Sequence, residues 1–279
     1  MQNRHWQNVG GGDGFHAFSD PSDPAYVYAQ SQGGNTYRRH LPSGEVMDLR
    51  PQPGPDEPPY RWNWNAALAL SPGNPRRLYT GAQFLFRSDD NGRTWEKISP
   101  DLTTNDPEIQ KQHESGGLTT DNTSAENHTT LFTISESPLD ENVVWVGTDD
   151  GNLQLTRDGG QAWALLNENI PGLPPHTWVS KVAASSHEAG TAYATFTGHQ
   201  TGDFTPYVYR TQDFGQTWTA LADSTIEGYA HVIAEDPVNP NLLYLGTEFG
   251  LFISLDQGET WARFAGNVPK TSIRGLAIH

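Results

Sequence analysis

The chain has 279 residues, 35% of them hydrophobic, which is enough for a sizeable core in one or two domains. A formal net charge of -16 argues against nucleic acid and anionic membrane as partners and leaves cations or neutral ligands open. The absence of cysteine excludes disulfide and thiolate chemistry, and no apolar run approaches the ~18 residues of a membrane-spanning helix.

The opening "MQNRHWQNVGGGDGF" has no apolar h-region, so no signal peptide is visible; localisation stays open, with a secreted or periplasmic parent as one option. Within it, "HWQNV" (5–9) reads as the start of an outgoing strand. Five similar stretches follow, at 16–50, 66–100, 129–168, 179–222 and 230–265. Each begins with an apolar strand and a Pro-rich turn, as in "SDPSDPAYVYA", "LSPGNPRRLYTG", "ESPLDENVVWVG" and "EDPVNPNLLYLG", with "SSHEAGTAYAT" a degenerate copy. Four then carry one eight-residue phrase: "SDDNGRTW", "TRDGGQAW", "TQDFGQTW" and "SLDQGETW". The first stretch has "RRHLPSGEVMDL" in that place, with Ser43-Gly44 as a worn version of the turn. The final "IRGLAIH" (273–279) copies the first strand of a stretch.

The phrase reads as a hairpin. Asp90, Asp158, Asp213 and Asp256 accept backbone N–H bonds within the turn, the following glycine supplies positive φ, and the tryptophan opens the outgoing strand. Each stretch is therefore a four-stranded meander, and repeats of ~40–50 residues with four strands indicate a β-propeller. The expected fold is all-β: one domain over 1–279, five four-stranded blades, and partial blade strands at both termini. The chain reads as a fragment or shortened form. Three closures are open: a five-bladed ring, a six-bladed ring completed by both ends, or an open arc that oligomerises through exposed strand edges.

These phrases resemble the Asp-box, or BNR repeat, of sialidases, two-propeller xyloglucanases and sortilin-type receptors. With "GGDGF", "YRWNWNA" and "EDPVNPNLLYLGTEFGLFISLDQGETW", the chain resembles a bacterial family labelled "glycosyl hydrolase, BNR repeat" or "sortilin-like". The resemblance implies a carbohydrate-active propeller, with a glycoside hydrolase as one reading and a non-catalytic peptide- or protein-binding scaffold as the other. Sialidase activity is not expected: there is no Arg-Ile-Pro, and only Arg61 lies in a channel loop. The two-propeller cleft of xyloglucanases and the cysteine-rich tail of sortilins are also missing from these 279 residues.

Ligands of propellers favour the mouth lined by the segments that precede each first strand. Those segments supply Asp13, then Arg61, Trp62 and Trp64, then Asp121 and Glu126, then His176 and Trp178, and finally Tyr229. Aromatic faces beside amides and carboxylates suit sugars. Asp121, Glu126 and Asp13 are the candidate catalytic carboxylates, since glycoside hydrolysis uses such a pair. Each residue also has a structural reading: the carboxylates as turn caps, Trp62 and Trp64 as blade packing, the histidines as hydrogen-bonded loop residues. No metal ligand or cofactor is expected; calcium near Asp149, Asp150, His199 and Asp203 is the alternative.

Overall fold

The computed structural model describes residues 8–111, 114, 127–266 and 268–278. The part of the expected first end strand before residue 8 lies outside these, as do Asp121 and Glu126. The described residues form five four-stranded antiparallel sheets, each a simple meander. The first contains β1 (Gly14–Ser19), β2 (Tyr26–Ser31), β3 (Asn35–His40) and β4 (Val46–Asp48). The second contains β5 (Ala67–Leu70), β6 (Leu78–Gly81), β7 (Leu85–Ser88) and β8 (Glu96–Lys97). The third contains β9 (Leu131–Ser137), β10 (Asp140–Thr148), β11 (Leu153–Thr156) and β12 (Ala164–Leu165). The fourth contains β13 (Trp178–Ala184), β14 (Ala192–Gly198), β15 (Asp203–Thr211) and β16 (Thr219–Ala220). The fifth contains β17 (Ala230–Glu235), β18 (Leu243–Thr247), β19 (Gly250–Ser254) and β20 (Ala262–Arg263). The outermost strands β8, β12, β16 and β20 have two residues each, which leaves little edge for pairing with another chain.

The chain divides into two compact units, Met1–Asp101 with Asn105–Leu131, and Leu102–Thr104 with Phe132–His279. In the first, Tyr28, Leu49 and Leu78 form one buried cluster, and Trp62, Ala66, Ala82 and Phe86 another. In the second, the core lies in layers between neighbouring sheets. Trp145, Val179, Phe196 and Trp218 belong to one layer, and Tyr193, Ile233, Leu245, Phe252 and Trp261 to the next.

The repeated phrase builds one turn four times, always between the third and fourth strands. In the second sheet, the Ser88 hydroxyl donates to Asp90 Oδ1 at 2.8 Å and accepts from the Gly92 N–H at 2.9 Å. Asp90 then accepts the Thr94 N–H at 2.9 Å and the Thr94 hydroxyl at 2.7 Å. The same bonds recur around Asp213 and Asp256, and around Asp158 without the hydroxyl, since Ala162 stands where the others have threonine. The worn first copy is also a hairpin, closed by the Gly44 N–H on the His40 carbonyl.

The turn also joins blades. A Cβ on Gly92, Gly215 or Gly258 would lie 2.6, 2.6 or 2.8 Å from Leu49, Leu166 or Leu221, the leucine that closes the preceding sheet. Only glycine accepts both that contact and the positive φ of these positions. Trp95 and Trp261 reinforce the joint by donating Nε1–H to the carbonyls of Leu49 and Leu221, at 2.6 and 2.9 Å.

A second glycine recurs at or near the end of the second strand. Gly81 leaves room for Leu131, Gly147 for Val179 and Gly246 for Ile273. The C-terminal stretch expected as a strand over 273–279 has no ladder in its described part. Ile273 instead rests on Gly246 and donates one backbone bond to Thr247, 2.9 Å long. Ile273 takes the place beside Gly246 that Leu131 and Val179, at the starts of first strands, take beside Gly81 and Gly147, but no partner strand lies beside it among the described residues.

Candidate functional site

In an antiparallel meander the start of the first strand lies at the same end of its sheet as the turn between the second and third strands. The Asp-box lies at the other end. Each sheet therefore has a box end and a loop end, and the expected ligand residues lie at or near loop ends.

In the first unit those residues are used internally. Trp62 is 2% exposed; its ring stacks on Phe86 and fills the space beside Gly34, where a Cβ would come within 2.4 Å. It has no face left for a ligand, which corrects the expectation of a stacking residue. Arg61 pairs with Asp101 at 2.7 Å and donates Nε–H to the Thr129 carbonyl at 3.2 Å. Its own N–H goes to Gln83 Oε1, 2.8 Å away in the turn between β6 and β7. Trp64 is half-buried, and its carbonyl accepts the Gly33 N–H. Asp13 is exposed, and its N–H donates to Gln32 Oε1 at 2.9 Å.

In the second unit His176 is exposed with φ 59°, and its backbone packs against Gly151. Trp178 is half-buried and meets Phe132 edge to face at 5.0 Å. Tyr229 lies in a cluster that includes residues the sequence did not suggest. Its ring stacks on His199 at 4.6 Å with 10° between planes, and meets His231 edge-on at 5.0 Å. His231 Nε2 lies 2.9 Å from Glu248 Oε2. Tyr229 and Ser272 also hydrogen-bond the Glu248 carboxylate, and Arg274 approaches it to 3.9 Å. Phe204 and Phe249 expose 62% and 44% of their surface beside this cluster.

The protonation states follow from these contacts. The bond from His231 and those from Ser272 and Tyr229 hold Glu248 below the usual carboxylate range, so it is an anion at neutral pH. Burial pushes His231 and His199 down, so both are neutral imidazoles there. His231 then carries its proton on Nε2 and donates it to Glu248. Ser272 Oγ lies 3.2 Å from that same nitrogen. A hydrolase triad needs the acid and the nucleophile on opposite ring nitrogens. Ser272, His231 and Glu248 therefore do not form one. The cluster offers a fixed anionic acceptor beside aromatic rings.

Burial also pushes down Lys181, a half-buried residue on β13 next to a bulge. The acidic residues considered for calcium are engaged in turns. Asp150 is bonded by the Thr148 hydroxyl and by both the N–H and the hydroxyl of Thr104, at 2.7 Å each; Asp203 is bonded by the Thr205 N–H and the Tyr207 hydroxyl. Among the described residues no group of three His, Asp or Glu side chains is placed to hold a metal ion.

Glu248, His199 and Asp149 each directly follow the second strand of their sheets, and Gln83 comes one residue later in its own. That correspondence is the signal in the sequence that marks the loop-end turns.

Residues 86–97 match the family described as BNR/Asp-box repeat. The chain is 24% identical over 235 residues to an oligoxyloglucan-reducing end-specific xyloglucanase from Emericella nidulans, covering 78% of this chain and 25% of that protein. It is 28% identical over 251 residues to a xyloglucanase from a Paenibacillus species, covering 77% and 22%. The chain thus spans about a quarter of the length of these relatives. Among solved structures it resembles an ancestral GH74 enzyme, with TM-score 0.61, 18% identity, and coverage of 96% of this chain and 33% of that one. It also resembles the GH74 xyloglucanase of Xanthomonas campestris, with TM-score 0.54, 19% identity, and coverage of 92% and 46%. The chain thus carries a match to the Asp-box repeat at residues 86–97 and has the four-stranded blades of a β-propeller.

Proposed function

We propose that this chain is carbohydrate-active and binds an oligo- or polysaccharide at its loop ends. The observation that carries this reading is the Glu248 cluster. A carboxylate fixed by three side chains stands beside the stacked Tyr229–His199 pair and two exposed phenylalanines. Sugars present apolar ring faces edged by hydroxyls, and such a surface answers both. The similarity to two xyloglucanases supports a β-glucan backbone as the first ligand to try.

In this reading Glu248 accepts a sugar hydroxyl, the exposed Phe204 and Phe249 take the ring face, and the buried Tyr229 positions Glu248. Glu248 is a poor proton donor, because its pKa is lowered. If the chain hydrolyses its ligand, the donor is Glu126 or Asp121. A donor must be protonated at working pH, which calls for a raised pKa.

The test is calorimetric titration with xyloglucan oligosaccharides and a reducing-sugar assay on the polymer, using wild type and the Glu248→Gln, Tyr229→Ala and Glu126→Gln variants. Loss of binding in the first two supports the site. Loss of turnover with binding retained in the third supports hydrolysis. Unchanged binding and turnover in Glu248→Gln would overturn the reading.

A further inference from the structure

The first unit contains a recess of about 440 Å³ that is lined by none of the loop-end residues discussed above. Its walls are the exit from β4, the 51–60 loop and the β7–β8 hairpin with its Asp-box. That volume lies within the ~300–1,000 Å³ of small-molecule sites.

Its chemistry is unusual for a chain of net charge -16. Three cations line it, Arg50, Arg93 and Lys97, against the carboxylates Asp48 and Glu57. Glu57 is already satisfied: it accepts from Lys97 Nζ and the Tyr60 hydroxyl, both at 2.6 Å, and from the Gly54 N–H at 3.1 Å. Asp48 is exposed and accepts the Arg50 backbone N–H at 3.0 Å.

The two guanidiniums are less occupied. Arg50 uses Nη1 on Asn35 at 3.0 Å and lies 5.3 Å over the Trp62 ring, while its buried Nε meets no acceptor among the described residues. Burial lowers its pKa, and the Asp48 charge offsets only part of that. Arg93 is exposed and has no carboxylate partner among the described residues. The box turn does not require an arginine there, since Gln161, Gln216 and Glu259 occupy the same place in the other copies. The tryptophan of this box, Trp95, is half-buried and lines the recess with Tyr60 and Gln52. The wall thus combines two guanidiniums that have no ion pair among the described residues with the rings of Tyr60, Phe86 and Trp95 and an amide. Guanidinium forks grip carboxylates in two-point fashion, and rings with amides accept a pyranose.

We propose that this recess binds an acidic sugar of the hexuronate class, with its carboxylate between Arg50 and Arg93 and its ring against Trp95. The proposal stands apart from the Glu248 site and does not depend on hydrolysis.

The test is ligand-observed NMR titration of the full chain with D-glucuronate, D-glucose and acetate, for wild type and for Arg93→Ala. Arg93 is exposed, so the variant should keep its fold, which a thermal melt checks. Glucuronate should bind more tightly than either glucose or acetate. Its Kd should rise roughly tenfold in Arg93→Ala, the effect of losing one charge-assisted hydrogen bond, and should rise with added salt. Arg50→Gln should weaken binding in the same direction. Equal affinity for acetate, equal affinity for glucose, or an unchanged Kd in Arg93→Ala would each overturn the proposal.

Discussion

The box ends and the loop ends of these sheets use the same kinds of residue in opposite ways. At a box end the bonds of the aspartate side chain are local. Asp213 is bonded by Thr211 and by Thr217, two residues before it and four after, and the carboxylate never leaves the turn. At the loop end of the fifth sheet, Glu248 is held by His231, 17 residues away, and by Tyr229 and Ser272 on separate segments. Local bonds make a turn that can be copied from blade to blade. Distant bonds make a constellation that occurs once, and a unique constellation can carry specificity. Asp150 lies between the two cases. Thr148-x-Asp150 repeats the first half of the box frame, but the closing threonine is Thr104, from another segment.

The largest expected effect tests the box end as core. Trp218 is 6% exposed and meets Trp145 edge to face at 6.1 Å. Trp218→Ala should cost ~3–5 kcal/mol through lost burial and a cavity, read by denaturant unfolding. Trp163 is only half-buried, and Trp163→Ala should cost less. Equal losses would show that the four boxes do not differ in burial as described.

Next comes the turn itself. Asp213→Ala removes bonds from Thr211 and Thr217 and should cost ~1–2 kcal/mol, as for other side-chain caps. Glu248→Gln should change the melting temperature less than Asp213→Ala, because the amide keeps an acceptor for its partners.

Acid should separate the two ends in a third way. Box carboxylates have lowered pKa values: the Thr217 hydroxyl acts on Asp213, the Ala162 N–H on Asp158, and the Thr260 hydroxyl brings Asp256 to about 2. At Asp90 burial opposes the shift, and the bonds from Thr94 outweigh it. A depressed carboxylate stabilises above its unfolded pKa, and that contribution is lost as pH falls toward its folded pKa. The boxes should therefore persist until the pH drops through the ordinary carboxylate range toward about 2. His199 and His231 are lowered from 6.5, so the unfolded chain takes up those protons first and stability begins to fall below that pH. Hydrogen exchange at falling pH should show residues 227–231 and 248–249 opening before 211–217. The reverse order would break the comparison.

The smallest effect concerns surface pairs. Arg87 reaches Glu96 at 2.8 Å, but the glutamate side chain is 67% exposed, so Glu96→Gln should shift stability by less than ~1 kcal/mol in the same unfolding assay.

The same contrast explains what the sequence could reveal. The hairpins at Asp90, Asp158, Asp213 and Asp256 were readable because their donors and acceptors fall within one short phrase. The five meanders were readable because turn chemistry recurs at fixed places. The interblade role of Leu49 and Leu221 was not, because each leucine lies about 40 residues before the glycine it covers. Trp62 was ambiguous for a similar reason: the slot it fills is made by Gly34 in the preceding blade. Glu248 stays hidden in the sequence, since nothing local in "GTEFG" announces His231, Tyr229 or Ser272. Tyr229 was found as a loop-end residue, but its partner His199 comes from the sheet before it.

The point to test is that the box aspartates are structural and that the proposed xyloglucan site lies at the loop ends. The direct measurement is binding of xyloglucan oligosaccharides per folded molecule, by calorimetry, for Asp213→Ala and Glu248→Gln side by side with their melting temperatures. The account predicts a lower melting temperature with unchanged Kd for Asp213→Ala, and a nearly unchanged melting temperature with lost binding for Glu248→Gln. Lost binding in a folded Asp213→Ala protein, or wild-type affinity in Glu248→Gln, would contradict it.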